Sequence, residues 1–454
     1  MQIILHKPFY GKYIVYGFYG IKGNEIIDFD KKYRYNIMQF IAFGNNLRNG
    51  DRIFIMLVWF MFLVYILLST YVLWRMIHWL KRVIPFFKHK RMQAVLIVLY
   101  IICASTLILG GLLPKSSLSV FLHKIGNYWL GIFIYIVFNI LIVDIAVLIL
   151  KLINKKYEIK LLSSLKGYYI AGIIVIAASV FFCTYGFIHA QSITKKTYDI
   201  NVSKDVEGMD SIKVALVADL HLGYNVGNKK MQQMVEQIND MNADLVVIAG
   251  DIFDNNYDAL DDPDGLIEIL RGVKSDLGTY VVYGNHDVKE TLIGGFSITS
   301  RTLAFRDPRM DEFLEKCGFK VLTDDVVTLD NGNIYLIGRL DSEKAGDGTS
   351  DRMSINNLTA GLDKSKPILL LEHEPANLSG VADCGVDVML CGHTHAGQFF
   401  PLTIVQPFAW QNYHGYLKVG NMHSFVTAGV GLYGPNMRVM TDSEVMEINI
   451  NFNK

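Results

Sequence analysis

The chain has 454 residues with 43 basic and 43 acidic side chains, so its formal charge is zero and no nucleic-acid partner held by bulk electrostatics is indicated. Hydrophobic residues make up 51% and the mean hydropathy is +0.28, which excludes an ordinary wholly soluble protein and points to a membrane portion beside a folded domain. The five cysteines, Cys103, Cys183, Cys317, Cys384 and Cys391, show no paired spacing, which excludes a disulfide framework and a cysteine-rich zinc site.

Residues 1–50 mix Lys, Tyr, Gly and Asp without a helical or strand period, and read as an extension of uncertain order. For residues 1–37 two readings stand side by side: a poorly ordered extension, or sequence upstream of a start at Met38.

A membrane domain is expected over 51–190. No charge interrupts Ile53–Trp74, Met92–Pro114 or Gly167–Thr194, and Ile125–Leu150 carries only Asp144. About 20 apolar residues span a bilayer as a helix, so four transmembrane helices are expected near 53–74, 92–114, 125–150 and 167–190. The first segment is too long, and three more follow, for a cleavable signal peptide. Arg75, Lys81, Arg82, Lys88, Lys90 and Arg91 follow the first helix, and Lys151, Lys155, Lys156, Lys160 and Lys166 the third. The loop between the second and third holds only Lys115 and Lys124. Basic loops stay in the cytoplasm, so the expectation is a multi-pass cell-membrane protein whose C-terminal domain is extracytoplasmic. Asp144 reads as an acid near the cytoplasmic end that reaches water or a neighbouring lysine, although ionisable groups at such depth are functional candidates by default.

After His189 the composition turns polar, and 191–210 reads as a linker. The remainder, 211–454, is expected to be an α/β layered domain. Short apolar runs at Val214–Ala218, Leu245–Ala249, Tyr280–Tyr283, Ile334–Ile337, Ile368–Leu371 and Val386–Leu390 do not alternate, which suits strands buried on both faces. Ser424–Thr427 and Val445–Ile450 supply late strands. Met231, Met234, Val235, Ile238 and Met241 recur at helical spacing and read as the core face of a helix over 228–241.

Nearly every one of those runs leads into a polar motif. In order these are Asp219-Leu220-His221, Gly250-Asp251-Ile252-Phe253-Asp254, Gly284-Asn285-His286-Asp287, Glu372-His373-Glu374 and Gly392-His393-Thr394-His395. Polar groups just beyond successive strand ends gather along one edge, where open α/β sheets bind ligands. Asp219, His221, Asp251, Asn285, His373, His393 and His395 form a mixed nitrogen and oxygen donor set. Imidazole favours zinc and iron, whereas carboxylate and amide oxygen suit manganese or magnesium. Seven donors are too many for one tetrahedral ion and suit two ions sharing a carboxylate, an arrangement fitted to displacement at phosphorus.

This series resembles the calcineurin-like metallophosphoesterase superfamily, and Gly392-His-Thr-His-Ala-Gly-Gln398 with Pro401, Gly429-Val-Gly431 and Arg438 is similar to its membrane-anchored bacterial branch. The resemblance covers about 212–450 and implies a β-sandwich with flanking helices. It implies two divalent ions (manganese, zinc or iron), with Asp219, His221 and His395 on the first, Asp251 bridging, and Asn285, His373 and His393 on the second. His286 is then implied as the leaving-group acid or phosphate-oxygen donor, with Asp254 orienting its imidazole. The implied activity is hydrolysis of a phosphoester or pyrophosphate by a metal-activated hydroxide; monoesterase, phosphodiesterase and pyrophosphatase stay open.

Other polar residues take plainer readings. Asp287 caps or turns the backbone, Glu372 and Glu374 flank His373 as supporting or solvated groups, and His414 and His423 are surface or packing histidines. Arg339 and Arg438 either grip a phosphate or form structural salt bridges. Residues 290–310 and the apolar run Phe399–Trp410 stand beside the motifs as pocket walls. The latter implies contact with membrane lipids or an acyl chain, and with it a lipid-linked or envelope substrate; core packing is the competing reading. The rival function is a non-catalytic membrane sensor or assembly protein that binds metal or phosphate. Oligomeric state has no signature here.

Overall fold

The computed structural model describes residues 9–10, 13–14, 19–22, 25–28, 49–113, 116–157, 164–290, 292–293, 296–297, 304–348 and 351–452. Within the first 28 residues, Phe9–Tyr10 pairs with Tyr13–Ile14 and Tyr19–Lys22 with Glu25–Asp28, both antiparallel, although the sequence there shows no strand period. The rest of 1–48, and residues 291, 294–295 and 298–303 of the expected pocket wall, lie outside the described residues.

Four helices follow: α1 (Asn49–Val83), α2 (Lys90–Leu112), α3 (Ser117–Tyr157) and α4 (Leu165–His189). Each holds a stretch long and apolar enough to cross a membrane. α1 and α3 outrun their uncharged stretches because each ends in a basic turn, Lys81 and Arg82 in one and Lys151 to Tyr157 in the other. Among the described residues the partners of Asp144 are Arg75 and Tyr71 rather than a lysine. Its carboxylate takes two bonds from the Arg75 guanidinium, at 2.8 and 2.9 Å, and one from the Tyr71 hydroxyl at 2.8 Å. A charge at membrane depth is tolerated when paired in this way.

The remaining chain forms two six-stranded sheets. One has the order β5–β4–β3–β2–β12–β1, from β1 (Ile193–Val202), β2 (Ser211–Val217), β3 (Leu245–Ala249), β4 (Thr279–Val282), β5 (Lys320–Val321) and β12 (Ser443–Phe452). The other runs β6–β7–β8–β9–β11–β10, from β6 (Asp325–Leu329), β7 (Ile334–Gly338), β8 (Ile368–Leu371), β9 (Val388–Cys391), β10 (Gly415–Val419) and β11 (Met422–Val426). The central strands β2–β3–β4 and β7–β8–β9 are parallel, which explains their unbroken apolar runs.

The sheets face each other across a core that includes Leu216, Val247 and Val282 on one side and Leu336, Leu369, Leu390 and Phe425 on the other. Helices α5 (Asn228–Met241), α6 (Pro263–Arg271) and α7 (Pro308–Cys317) cover the outer face of the first sheet, where Met231, Met234 and Ile238 are fully buried. The methionine stripe is therefore core packing. The stretch expected as a linker is instead largely β1, an edge strand paired in parallel with β12. Burial of alternate residues makes such a strand look polar in sequence.

The sandwich is seated on the helices. Met437 fills a notch left by Gly131 of α3 and Gly186 of α4, where an added Cβ would fall 2.7 Å from its sulfur or 2.8 Å from its methyl. The Arg438 amide donates to the Gly186 carbonyl at 3.0 Å, and the Tyr135 hydroxyl donates to the Phe400 carbonyl at 2.7 Å. Tyr224 stacks on His123 at 3.8 Å, and Asn127 donates to Asn225 at 3.2 Å.

Candidate metal centre

Asp219, Asp251, Asn285, His373 and His393 each stand two or three residues beyond the C-terminal ends of β2, β3, β4, β8 and β9. The ends of both sheets thus open on one crevice. Asp219, His221, Asp251, His393 and His395 all take positive φ, between 45° and 75°. Non-glycine residues adopt this left-handed region at a cost, and such strain concentrates at functional sites. Two close approaches need glycine: a Cβ on Gly284 would fall 2.2 Å from Asp251 Oδ1, and one on Gly429 2.6 Å from Asp219 Cβ.

The seven donors fall into two groups. Asp219, His221 and His395 bring one ligand atom each within 4.8 Å of one another. There His221 Nε2 lies 3.0 Å from His395 Nε2 and 3.7 Å from Asp251 Oδ2, and His395 Nε2 lies 3.6 Å from Asp219 Oδ1. In the second group His373 Nε2 lies 3.2 Å from Asp251 Oδ2 and 3.1 Å from Asn285 Oδ1. His393 Nδ1 is 3.1 Å from that same Asn285 oxygen and 3.2 Å from His373 Nε2. Asp251 faces both groups, which is the place of a shared carboxylate.

The donor chemistry fits cations. His373 Nδ1 donates to the Ala249 carbonyl at 2.7 Å, which turns Nε2 toward the other donors. Burial pushes His221 and His393 down to about 4 and His395 well below its ordinary value, so these imidazoles are neutral ligands at pH 7. Burial also pushes Asp219 up to about 8. Asp251 goes the other way: burial opposes its charge, but His373, His286 and His221 outweigh it and hold the carboxyl well below its usual range. His373 is correspondingly raised, because Asp251 and Asp219 overcome the cost of burying a cation there. The cluster draws in positive charge, which suits it to hold divalent cations.

His286 lies beside the donors, its ring 5.4 Å from His221 and 4.4 Å from Tyr433. Its backbone amide donates to Asp251 Oδ1 at 2.8 Å. The expected orienting carboxylate is elsewhere: Asp254 Oδ1 is 3.9 Å from His221 Nδ1, and the group against His286 Nδ1 is Asn255 Oδ1, at 2.9 Å. The chain turns at Asn255, φ 58°, and this turn aims residue 255 rather than 254 at the imidazole.

Neighbouring groups are accounted for by structure. Asp287 takes the Phe253 and Gly284 amides, both at 2.8 Å. Glu372 and Glu374 are buried rather than solvated; Glu372 pairs with Arg339 and Arg352, and Glu374 accepts from the Ser342 hydroxyl. The Arg438 guanidinium is turned to the backbone, donating to the carbonyls of His395, Ala428, Gly429 and Gly431. His414 pairs with Glu444, and His423 bonds the Tyr416 hydroxyl. Asn255, Glu290, Lys344 and Tyr433 carry no motif signature and enter the site only through the fold.

The family model described as calcineurin-like phosphoesterase matches residues 212–397. A transmembrane protein with metallophosphoesterase domain from Danio rerio is 31% identical over 280 residues, 58% of this chain and 59% of that one. An uncharacterized metallophosphoesterase from Helicobacter pylori is 29% identical over 243 residues, 53% of this chain and 60% of that one. The chain thus spans about three fifths of the length of these two relatives, at 59% and 60%. An uncharacterized metallophosphoesterase from Aquifex aeolicus is 27% identical over 270 residues, covering 59% of this chain and 95% of its own length.

Proposed function

From a chain whose residues 212–397 match the family model described as calcineurin-like phosphoesterase, we propose a metal-dependent phosphohydrolase that cleaves a phosphoester or pyrophosphate in a membrane-lipid head group or lipid-linked envelope polymer. The observation that carries the chemistry is the convergence of six further donors around Asp251 from the ends of both sheets. When bound, two divalent ions supply a nucleophile at neutral pH and neutralise charge gathering on the phosphoryl group. Asp219, His221 and His395 would hold one ion, Asn285, His373 and His393 the other, and Asp251 would serve both. His286 stands outside the donor set, positioned to hold or deliver a proton at the leaving oxygen.

The substrate class rests on the rim. Phe400 packs edge-on against Phe138 of α3 at 5.3 Å, so the segment after it starts at the membrane helices. That segment exposes Leu402, Ile404, Val405 and Phe408, the last 87% accessible, and ends at Trp410, whose ring is 5.2 Å from the His393 ring. An apolar path therefore runs from the helix bundle to a metal ligand, and core packing does not explain side chains that are this exposed.

The test is hydrolysis by the full chain in lipid nanodiscs, with manganese, zinc or iron added in turn. Substrates are a soluble aryl phosphate, a soluble diester and a long-chain lipid phosphate. Metal-dependent turnover is expected, with a loss of about 10³-fold or more in Asp251→Asn and about 10²-fold or more in His286→Ala. Replacing Leu402, Ile404, Val405 and Phe408 by serine is expected to lower turnover of the lipid phosphate about tenfold or more, and the soluble esters far less. An equal fall on all substrates refutes the lipid reading. No turnover by a protein that still binds two ions favours a sensor.

A further inference from the structure

We propose that Asn255 is the positioning residue of His286, and that a chain running Lys344, Glu290, Asn255 sets which nitrogen of that imidazole carries its fixed proton. The proposal rests on the phosphohydrolase reading only for the role of His286; the geometry of the chain is independent of it.

Asn255 holds His286 twice. Its backbone amide donates to the His286 carbonyl at 3.1 Å, and its side-chain oxygen lies 2.9 Å from His286 Nδ1. The other end of the same amide, Nδ2, donates to Glu290 Oε2. Glu290 Oε1 in turn forms an ion pair with Lys344 Nζ, and both side chains are buried. An ionised carboxylate only accepts, so the NH₂ of Asn255 faces Glu290 and its oxygen faces the imidazole. An oxygen acceptor at 2.9 Å then requires a hydrogen on His286 Nδ1. Nε2 is the nitrogen left for the substrate. Tyr433 packs on the ring at 4.4 Å and limits its tilt.

This arrangement differs from a carboxylate–imidazole pair. A neutral amide accepts from Nδ1 whether or not Nε2 holds a proton, so the ring keeps one orientation through a proton transfer. The negative charge stands one residue further back, on Glu290, where Lys344 balances it. Asp254, the residue to which the family resemblance gives this role, makes no such contact, with its carboxylate turned toward His221 Nδ1 at 3.9 Å.

The experiment uses the full chain in nanodiscs, zinc-loaded, with two phosphate esters: one with an activated aryl leaving group and one with a poor alkyl leaving group. The variants are Asn255→Ala, His286→Ala, both together, and Asn255→Asp combined with Glu290→Gln. Asn255→Ala is expected to lower kcat on the alkyl ester about 10- to 100-fold, to change the activated ester at most a few-fold, and to leave KM and zinc content unchanged. The double variant is expected to be no slower than His286→Ala alone. The combined swap keeps an acceptor on Nδ1 and a bonded partner behind it, so it recovers most of the alkyl-ester rate. Equal loss on both esters, or a loss that multiplies with that of His286→Ala, overturns the proposal.

A second readout needs no turnover. With ¹⁵N-labelled histidine, and the His286 signals identified by their loss in His286→Ala, the wild-type ring is expected to be protonated at Nδ1 and to lose that preference in Asn255→Ala. A wild-type ring protonated at Nε2 instead overturns the proposal. If no ester is hydrolysed, the phosphohydrolase reading fails while the tautomer measurement still decides the role of Asn255.

Discussion

Glu444 shows how a single buried carboxylate holds the floor of the site. It accepts from His414 at 3.1 Å and from the Ala428 amide at 2.9 Å, at the base of the loop whose Gly429 abuts Asp219. Burial acts to raise its pKa, but the His414 bond and charge, the Ala428 amide and Arg438 outweigh that and hold it below its ordinary 4.5. A depressed carboxyl stabilises the fold fully above its unfolded pKa, and loses that contribution as pH falls through the folded value. Glu444→Gln is therefore expected to cost about 2 kcal/mol at neutral pH, with the difference from wild type closing as pH drops below 4.5. Thermal melts between neutral pH and pH 3 measure it; a difference that widens on acidification refutes the assignment. At this scale the sequence is legible where a residue type is demanded by chemistry. Asp219, His221, Asp251, Asn285, His373, His393 and His395 could be listed from motifs because metals accept few donors. Asp254 and Asn255 are adjacent and both polar, and only the positive φ at Asn255 decides which one reaches His286. Arg438 was equally illegible, since a guanidinium that binds phosphate and one that binds carbonyls read alike.

Among elements, α4 has the greatest leverage on the site. Gly186 in its last turn accepts the Arg438 amide, and the Arg438 guanidinium then holds the carbonyls of His395 and Gly429, each beside or within the metal-ligand set. A side chain at Gly186 meets Met437 at 2.8 Å and Val439 at 2.9 Å. Gly186→Ala asks the end of Met437 and a methyl of Val439 to shift, whereas Gly186→Leu forces the 437–439 segment off the helix, at about 1–3 kcal/mol. The larger variant is expected to lower the melting temperature and metal-dependent turnover together, and the smaller one to change both little. Unchanged turnover in a destabilised Gly186→Leu protein would show that the seam anchors the domain without shaping its site. The helices and the parallel central strands were legible because burial on both faces, or in lipid, leaves unbroken apolar runs. β1, β5, β6 and β10 were not, because they are edge or near-edge strands with exposed residues, and for β1 the pairing partner, β12, lies some 250 residues away, as in Ile193 with Ser443.

For the whole molecule, the arrangement of charge along the bundle argues for one orientation. The sandwich contacts α3 through His123, Lys124 and Asn127 near its start, and α4 through Gly186 and His189 near its end. These turns lie at one end of the bundle. The α1–α2 connection, with Lys88, and the last turns of α3, with Lys151, lie at the other. On the sandwich side Lys124 is paired with Asp261 at 2.6 Å, which weakens it further as a topological signal. Basic residues are retained in the cytoplasm, so the sandwich, its metal centre and the apolar 402–408 segment are expected on the outer side. Single cysteines test this. Asp205→Cys lies on the exposed surface of the sandwich and Lys88→Cys on the exposed α1–α2 connection, while Cys183, Cys317, Cys384 and Cys391 are buried and Cys103 sits within α2. A membrane-impermeant maleimide applied to intact cells is expected to label Asp205→Cys directly and Lys88→Cys only after permeabilisation. The reverse pattern would put the metal centre in the cytoplasm and remove envelope polymers from its reach. The expected pattern, in contrast, limits the substrate to phosphoesters presented on the outer side of the membrane, the side that would then carry the exposed Phe408 segment.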